Sequence, residues 1–124
     1  MENGVKFRRF VLIGVFFASL VWTASASAQS DFYKGKTITV YIGTTPGALY
    51  DQWSRLLAQY MPKHIPGKPD MISQNMPGAG HKIAANYLYA KTKPDGLSLI
   101  GSIVPSLYFD QLIGRPEVQY DWAK

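Results

Sequence analysis

Two short glycine-containing stretches carry the residues best suited to binding chemistry. Residues 43–48 read Gly-Thr-Thr-Pro-Gly-Ala, and residues 75–81 read Asn-Met-Pro-Gly-Ala-Gly-His. Each follows a β-branched or apolar run and precedes a run of helical spacing, which is typical of a turn from a strand into a helix. Such a turn presents unpaired N–H groups at the positive end of a helix, where anions bind. Two such loops side by side would form an anion cleft, whereas either alone could be a plain turn that needs glycine for its dihedral angles.

The candidate ligand-binding residues lie in or beside these loops. The hydroxyls of Thr44 and Thr45 and the amide of Asn75 add donors to the backbone N–H groups. His81, at the start of the second helix, could donate to an anion. Asp51, in the first turn of the first helix, could complement the helix dipole, shape the first loop or accept a hydrogen bond from a ligand. The predicted ligand-binding residues are Thr44, Thr45, Pro46, Gly47, Ala48, Asp51, Asn75, Gly78, Ala79, Gly80 and His81.

Several other chemistries are not supported. The first loop lacks the Gly-Lys-Ser/Thr of a phosphate-binding P-loop, and Ile83 stands where a dinucleotide fingerprint needs its third glycine. His64 and His81 are far apart in sequence and lack a carboxylate cluster, so no metal site or cofactor is predicted. No nucleophile and base can be paired, so we predict that the chain is not an enzyme. Serines without the context of a nucleophile elbow are Ser54, Ser73, Ser98, Ser102 and Ser106.

The elements that would position the loops alternate between strand and helix. The β-branched run 37–42 predicts the first strand, and apolar residues at helical spacing from Leu49 predict a helix that Pro62 closes. The aromatic residues of this helix, Trp53 and Tyr60, are expected in core or half-buried packing. Three prolines in residues 62–69 predict a connection without regular structure.

The second half of the chain repeats the alternation. A weaker strand over residues 70–76 precedes a helix from about His81 to Ala90, and a third strand over residues 97–104 precedes a helix from Pro105 to about Ile113. The fold class is therefore α/β, a parallel-sheet βαβαβα unit with right-handed crossovers. Ligands are expected at the carboxyl ends of the strands, where both loops lie.

Residues 1–28 have the features of a cleavable secretory signal peptide. A basic start is followed by an apolar core of about a dozen residues, short of the ~20 that a spanning helix needs, and then by small residues. Cleavage is expected after Ala28, with Ala26 as the second choice and an uncleaved membrane anchor as the alternative. We therefore expect a periplasmic protein.

Composition limits the partners of the exported chain. The 124-residue chain has a formal net charge of +5 and no cysteine. Removal of residues 1–28 would leave 10 Lys and Arg against 7 Asp and Glu, a mild excess that favours anionic small molecules. The lysines form no basic run, so no nucleic-acid partner is predicted.

From Asp31 onward the chain resembles the substrate-binding receptors of tripartite tricarboxylate transporters, the Bug family of periplasmic solute-binding proteins. The resemblance rests on an ordered set of short motifs. They are Phe-Tyr-Lys-Gly-Lys-Thr-Ile-Thr-Val at 32–40, Pro46-Gly47 with Asp51, Arg-Leu-Leu-Ala at 55–58, His-Ile-Pro-Gly-Lys-Pro at 64–69, Asn-Met-Pro-Gly-Ala-Gly at 75–80, Ala-Ala-Asn-Tyr-Leu-Tyr at 84–89 and Pro-Asp-Gly at 94–96.

The resemblance implies a two-lobe fold, of which residues 29–124 would be part of the first lobe. It implies a receptor that closes over a carboxylate-bearing small molecule, held by backbone N–H groups of the first two loops and by water, and delivers it to integral membrane subunits. Two features depart from the family: the glycine run after Pro46 is poorer, and His81 replaces a small residue.

The chain also stops early for this family. It ends at Lys124, so we expect an N-terminal fragment of low stability. The alternatives are a truncated gene product without binding function and a small exported enzyme that uses the same cleft.

Overall fold

The computed structural model describes residues 32–123. The predicted signal peptide and its cleavage site lie outside these residues. The strands are β1 (Thr37–Ile42), β2 (Asp70–Asn75) and β3 (Ser98–Ile100), and the helices are α1 (Leu49–Tyr60), α2 (Lys82–Lys91) and α3 (Pro105–Leu112). This order confirms the predicted α/β class and the βαβαβα alternation.

The three strands form one parallel sheet in the order β2-β1-β3. Ile42 at the end of β1 pairs with Asn75 at the end of β2, and Tyr41 pairs with Ile100 at the end of β3. The carboxyl ends of all three strands therefore lie at one edge of the sheet. The loop after β1 lies between the chain segments that follow β2 and β3.

The centre of the sheet is buried by the β-branched residues of β1. Ile38, Val40 and Ile42 are at most 2% exposed. A second cluster of Ala85, Leu107 and Tyr120 joins α2 and α3 to the last described segment. Ile100 of β3 packs against this cluster, so burial of apolar surface holds α2, α3 and the last described segment together beside the sheet.

Two predicted elements differ from the structure. Residues 61–64 form a short 3-10 helix, Met61–His64, where an irregular connection was predicted. Pro62 fits there because the first turn of such a helix leaves its N–H groups unbonded. The third strand is shorter than residues 97–104. The N–H of Gly101 still donates to the carbonyl of Tyr41 in β1, but the carbonyl of Gly101 accepts from Ser54 of α1, and the Ser102 hydroxyl accepts from the N–H of Gly43.

The orientation of α1 also corrects the sequence analysis. Its buried side chains are Asp51 and Ser54, each 2% exposed, whereas Trp53 is 62% exposed and Tyr60 50%. Ser54 Oγ donates to the carbonyls of Tyr50 or Gly101, at 2.7 and 2.8 Å, so the helix docks through polar groups. The prediction of core or half-buried packing for Trp53 and Tyr60 is therefore wrong, since both side chains are exposed.

Candidate functional site

The two loops are neighbours at the carboxyl edge of the sheet, as the sequence predicted. The first loop, residues 43–48, follows β1, and the second loop, residues 75–81, begins with the last residue of β2. Asn75 joins them directly, since its Nδ2 donates to the carbonyl of Thr44 over 2.9 Å. Adjacent strands and one amide side chain thus place both loops around the same space.

Asp51 holds the first loop in shape. Its carboxylate accepts from the N–H of Gly47 (2.8 Å), from Arg55 Nε (2.9 Å) and from Asn75 Nδ2 (2.8 Å). These hydrogen bonds, that of Arg55 first, then those of Gly47 and Asn75, lower the pKa of Asp51 to about 2. Since its oxygens are occupied, the carboxylate organises the loop and is ionised at neutral pH.

Arg55 completes this polar network. Its Nε pairs with Asp51, and its second terminal nitrogen donates to Asn75 Oδ1 over 2.8 Å. The amide of Asn75 is thereby satisfied on both sides and fixed in orientation. Arg55 was not among the predicted site residues. Its position four residues after Asp51, on the same helix face, was the sequence feature that could have revealed it.

Some of the predicted N–H donors are already used within the loop. Gly47 N–H donates to Asp51, and Ala48 N–H donates to the carbonyl of Thr45 over 3.3 Å. Among residues 32–123, no backbone hydrogen bond uses the N–H groups of Thr44 and Thr45. The backbone N–H groups that the first loop can offer a ligand are therefore those of Thr44 and Thr45.

Thr44 also carries an unpaired side-chain group. Its Oγ1 is buried and has no hydrogen-bond partner within the described part of the chain. Buried hydroxyls nearly always have a partner, so this atom is a candidate for contact with a bound molecule or water.

The second loop has an unusual backbone. After Gly78 (φ +133°), Ala79, Gly80 and His81 have φ of +47°, +60° and +73°. Two of these three residues are not glycine, and each costs about 1–2 kcal/mol in the left-handed region. The N–H groups of Ala79 and Gly80 donate to no backbone carbonyl of residues 32–123. This turn places free donors before α2, beside the first loop.

His81 lies between the loops and β3. Its Nδ1 is 3.0 Å from Ser102 Oγ, and its ring meets that of Tyr50 edge to face, with 5.3 Å between centroids. Burial lowers the pKa of His81, which favours the neutral ring. Ser102 had been considered only as a nucleophile, and its place in the site was missed.

The predicted ligand-binding residues of the two loops differ in exposure. Thr45, Pro46, Gly47, Gly78, Ala79 and Gly80 are exposed, while Thr44, Ala48, Asn75 and His81 are half-buried. Residues 32–123 contain no cluster of three or more His, Asp or Glu side chains that could hold a metal ion. None of their helices combines the length and apolarity required to span a membrane. The described site offers backbone N–H groups, the hydroxyls of Thr44 and Thr45 and the imidazole of His81.

A comparison with known proteins bears on what such a site is for. Over 92 residues the chain is 32% identical to the "UPF0065 protein in the TAR-I ttuE-ttuC' intergenic region" of Agrobacterium vitis. This match supports a relationship to the Bug family, also designated UPF0065. The aligned stretch is 74% of this chain but 25% of that protein. No family model and no solved structure matches the chain.

Proposed function

We propose that this chain is the ligand-binding part of a periplasmic solute receptor for a small carboxylate-bearing molecule. The observation that carries the proposal is the adjacency of the two loops, tied through Asn75, with unpaired N–H groups on both. A carboxylate has two oxygens that accept such donors, and the positive ends of α1 and α2 favour a negative charge. The UPF0065 match supports a solute-binding rather than an enzymatic role.

The finer parts of this function rest on the family relationship. They are placement of residues 29–124 in the first lobe of a two-lobe receptor and delivery of the ligand to integral membrane transporter subunits. Export through a signal peptide at residues 1–28 rests instead on the residue pattern of that segment. The two loops alone would bind weakly, since a helix N-terminus gives an anion about 0.3–2 kcal/mol and a micromolar ligand requires about 8 kcal/mol. A second lobe would supply the remainder.

Export and binding can be tested on one preparation. The full 124-residue chain is produced in a bacterial host and recovered from the periplasm, and its N-terminal residue is read by mass spectrometry. A first residue of Gln29 supports cleavage after Ala28. An intact N-terminus in the membrane fraction would favour the anchor instead.

Binding is then measured by calorimetry and thermal unfolding with acetate, succinate, citrate, sulfate and the neutral diamide of succinate. We expect at least one carboxylate to bind and to raise the melting temperature in proportion to ln(1 + [L]/Kd), while the diamide does neither. Two helix N-termini at the upper end of their range would together give about 4 kcal/mol, which corresponds to a millimolar Kd. No response to any carboxylate at about 50 mM would therefore contradict the proposal.

A substitution separates the ligand from the fold. Thr44→Val removes the unpaired hydroxyl and keeps the shape of the side chain, so we expect equal or higher stability without ligand and weaker carboxylate binding. Thr37→Val, at the exposed start of β1, is the matched control and should change neither quantity.

A further inference from the structure

One hydrogen-bonded group joins the ends of all three strands. His81 comes from the loop after β2, Gly43 follows β1 and Ser102 follows β3. His81 Nδ1 lies 3.0 Å from Ser102 Oγ, and the N–H of Gly43 donates to the same oxygen over 3.1 Å. The imidazole thus crosses the end of β1 to reach the segment after β3.

The contact between His81 and Gly43 is close. A Cβ added to Gly43 would lie 2.6–2.8 Å from three atoms of the His81 side chain. Real side chains do not approach so closely, so the side chain lies directly on the Gly43 backbone. This contact limits how the imidazole can turn.

The proton count at Ser102 decides the state of the imidazole. Ser102 is 2% exposed, and its hydroxyl has one proton and two lone pairs. Gly43 uses one lone pair. If the hydroxyl donates to Nδ1, all three groups are paired, and the neutral ring carries its own proton on Nε2. If Nδ1 carried the proton, the hydroxyl proton would be buried without an acceptor among the hydrogen bonds of residues 32–123, which is unfavourable.

We propose that Ser102 is a positioning residue that fixes His81 as the neutral Nε2–H tautomer, which gives the site an uncharged N–H donor for a ligand carboxylate. The tautomer follows from the geometry alone, while the role toward a carboxylate rests on the proposed function. Burial, which lowers the pKa of His81, also favours the neutral ring. Tyr50, edge-on to the ring at 5.3 Å, limits its movement on the other side.

The tautomer can be read by NMR of the histidine ring nitrogens in the ¹⁵N-labelled chain at pH 7.5. The chain has two histidines, so His64 serves as an internal reference. We expect His81 to show the Nε2–H pattern in the wild-type chain and a mixture of tautomers in Ser102→Ala. Ser106→Ala, an exposed serine in the first turn of α3, is the matched control and should leave His81 unchanged.

Loss of the Gly43 partner in Ser102→Ala could unfold the site, so Ser102→Thr is a second variant that keeps the hydroxyl and should keep the Nε2–H pattern. The proposal would be overturned if His81 carried its proton on Nδ1 in the wild-type chain. It would also be overturned if Ser102→Ala folded and left the tautomer of His81 unchanged.

A succinate titration of the same samples tests the role toward ligand. We expect Ser102→Ala to weaken succinate binding about 2- to 10-fold, the effect of one hydrogen bond, with no change in Ser106→Ala. Succinate binding with the Nδ1–H tautomer would refute the positioning role and leave the receptor function standing. The Nε2–H tautomer in a chain that binds no carboxylate would support the positioning and refute the ligand role.

Discussion

The two loops that form the candidate site are held in opposite ways. The first loop is fixed by hydrogen bonds that converge on the buried carboxylate of Asp51. The second loop is fixed by its backbone, with four consecutive residues at positive φ, and by the contact of His81 with Gly43 and Ser102. A site can thus be preorganised by polar side chains on one side and by a strained turn on the other.

The largest effect should follow from removing the carboxylate of the first loop. Asp51→Ala leaves Gly47, Arg55 and Asn75 without their common acceptor, so we expect the melting temperature to fall on the order of 10 °C. Asp70→Ala, an exposed aspartate at the start of β2, is the control and should shift it by about 2 °C or less. Equal effects of the two variants in a thermal melt would mean that Asp51 does not hold the loop.

A second prediction tests the contact between the loops. Gly43→Ala places a methyl group against His81 and should cost about 1–3 kcal/mol of unfolding free energy. Most of that cost should disappear when His81→Gly, which removes all three contacting atoms including Cβ, is added, in a double-mutant cycle measured by urea unfolding.

Gly47→Ala is the matched control within the first loop. Gly47 has φ of +85° and open space where a Cβ would lie, so its cost of about 1–2 kcal/mol is backbone strain. His81→Gly should not relieve it. If the substitution at His81 reduced the cost of both glycine variants, or of neither, His81 and Gly43 would not be specifically coupled.

Acid should act on the two loops in separate pH windows. The folded pKa of His81 is lowered, so the unfolded chain binds its proton first, and stability falls as the pH drops below the ordinary value of 6.5. The pKa of Asp51 is lowered to about 2, so its contribution, complete above 3.8, is lost between 3.8 and about 2.

Melting temperatures from pH 8 to 2 measure both windows. His81→Gln should remove the upper fall, and Asp51→Asn should reduce the lower one, to which Glu117, whose pKa its own backbone N–H and Lys82 also lower, contributes. The upper fall should be the smaller because His81 is half-buried, whereas the Asp51 carboxylate is buried and accepts three hydrogen bonds. If His81→Gln removed the lower fall, or Asp51→Asn the upper one, the assignment of the two pH windows would be wrong.

The smallest effect concerns the strain in the second loop. Ala79 has φ of +47°, so Ala79→Gly should raise the unfolding free energy by about 0.5–1 kcal/mol. The same change at Ala90, in the last turns of α2, should lower it by a similar amount, because glycine is unfavourable in a helix. If urea unfolding showed that both variants change the unfolding free energy in the same direction, the backbone of Ala79 would not be strained.

Local patterns predicted the fold well. The bounds of β1 follow from its β-branched run between two glycines, and the start of α3 follows from Pro105, which fits the first turn of a helix. The two loops could be placed at one edge because parallel strands bring their carboxyl ends together.

The contacts that shape the site could not be predicted in the same way. The bond from Ser54 to Gly101 and that from Gly43 to Ser102 join residues 47 and 59 positions apart, and no local periodicity encodes such pairs. The helical spacing of apolar residues in α1 correctly indicated two faces, but the apolar face was assigned to the interior. The structure buries the face of Asp51 and Ser54 instead, because these side chains make hydrogen bonds there. The positive φ of His81 is also set by tertiary contacts, since histidine itself disfavours it.

The central claim is that both loops bind one carboxylate, and backbone amide NMR during a succinate titration tests it most directly. We expect the N–H signals of Thr44, Thr45, Ala79 and Gly80 to shift together with one apparent Kd, while the N–H of Gly47, bound to Asp51, shifts less. Shifts confined to one loop, or concentrated away from both, would contradict it.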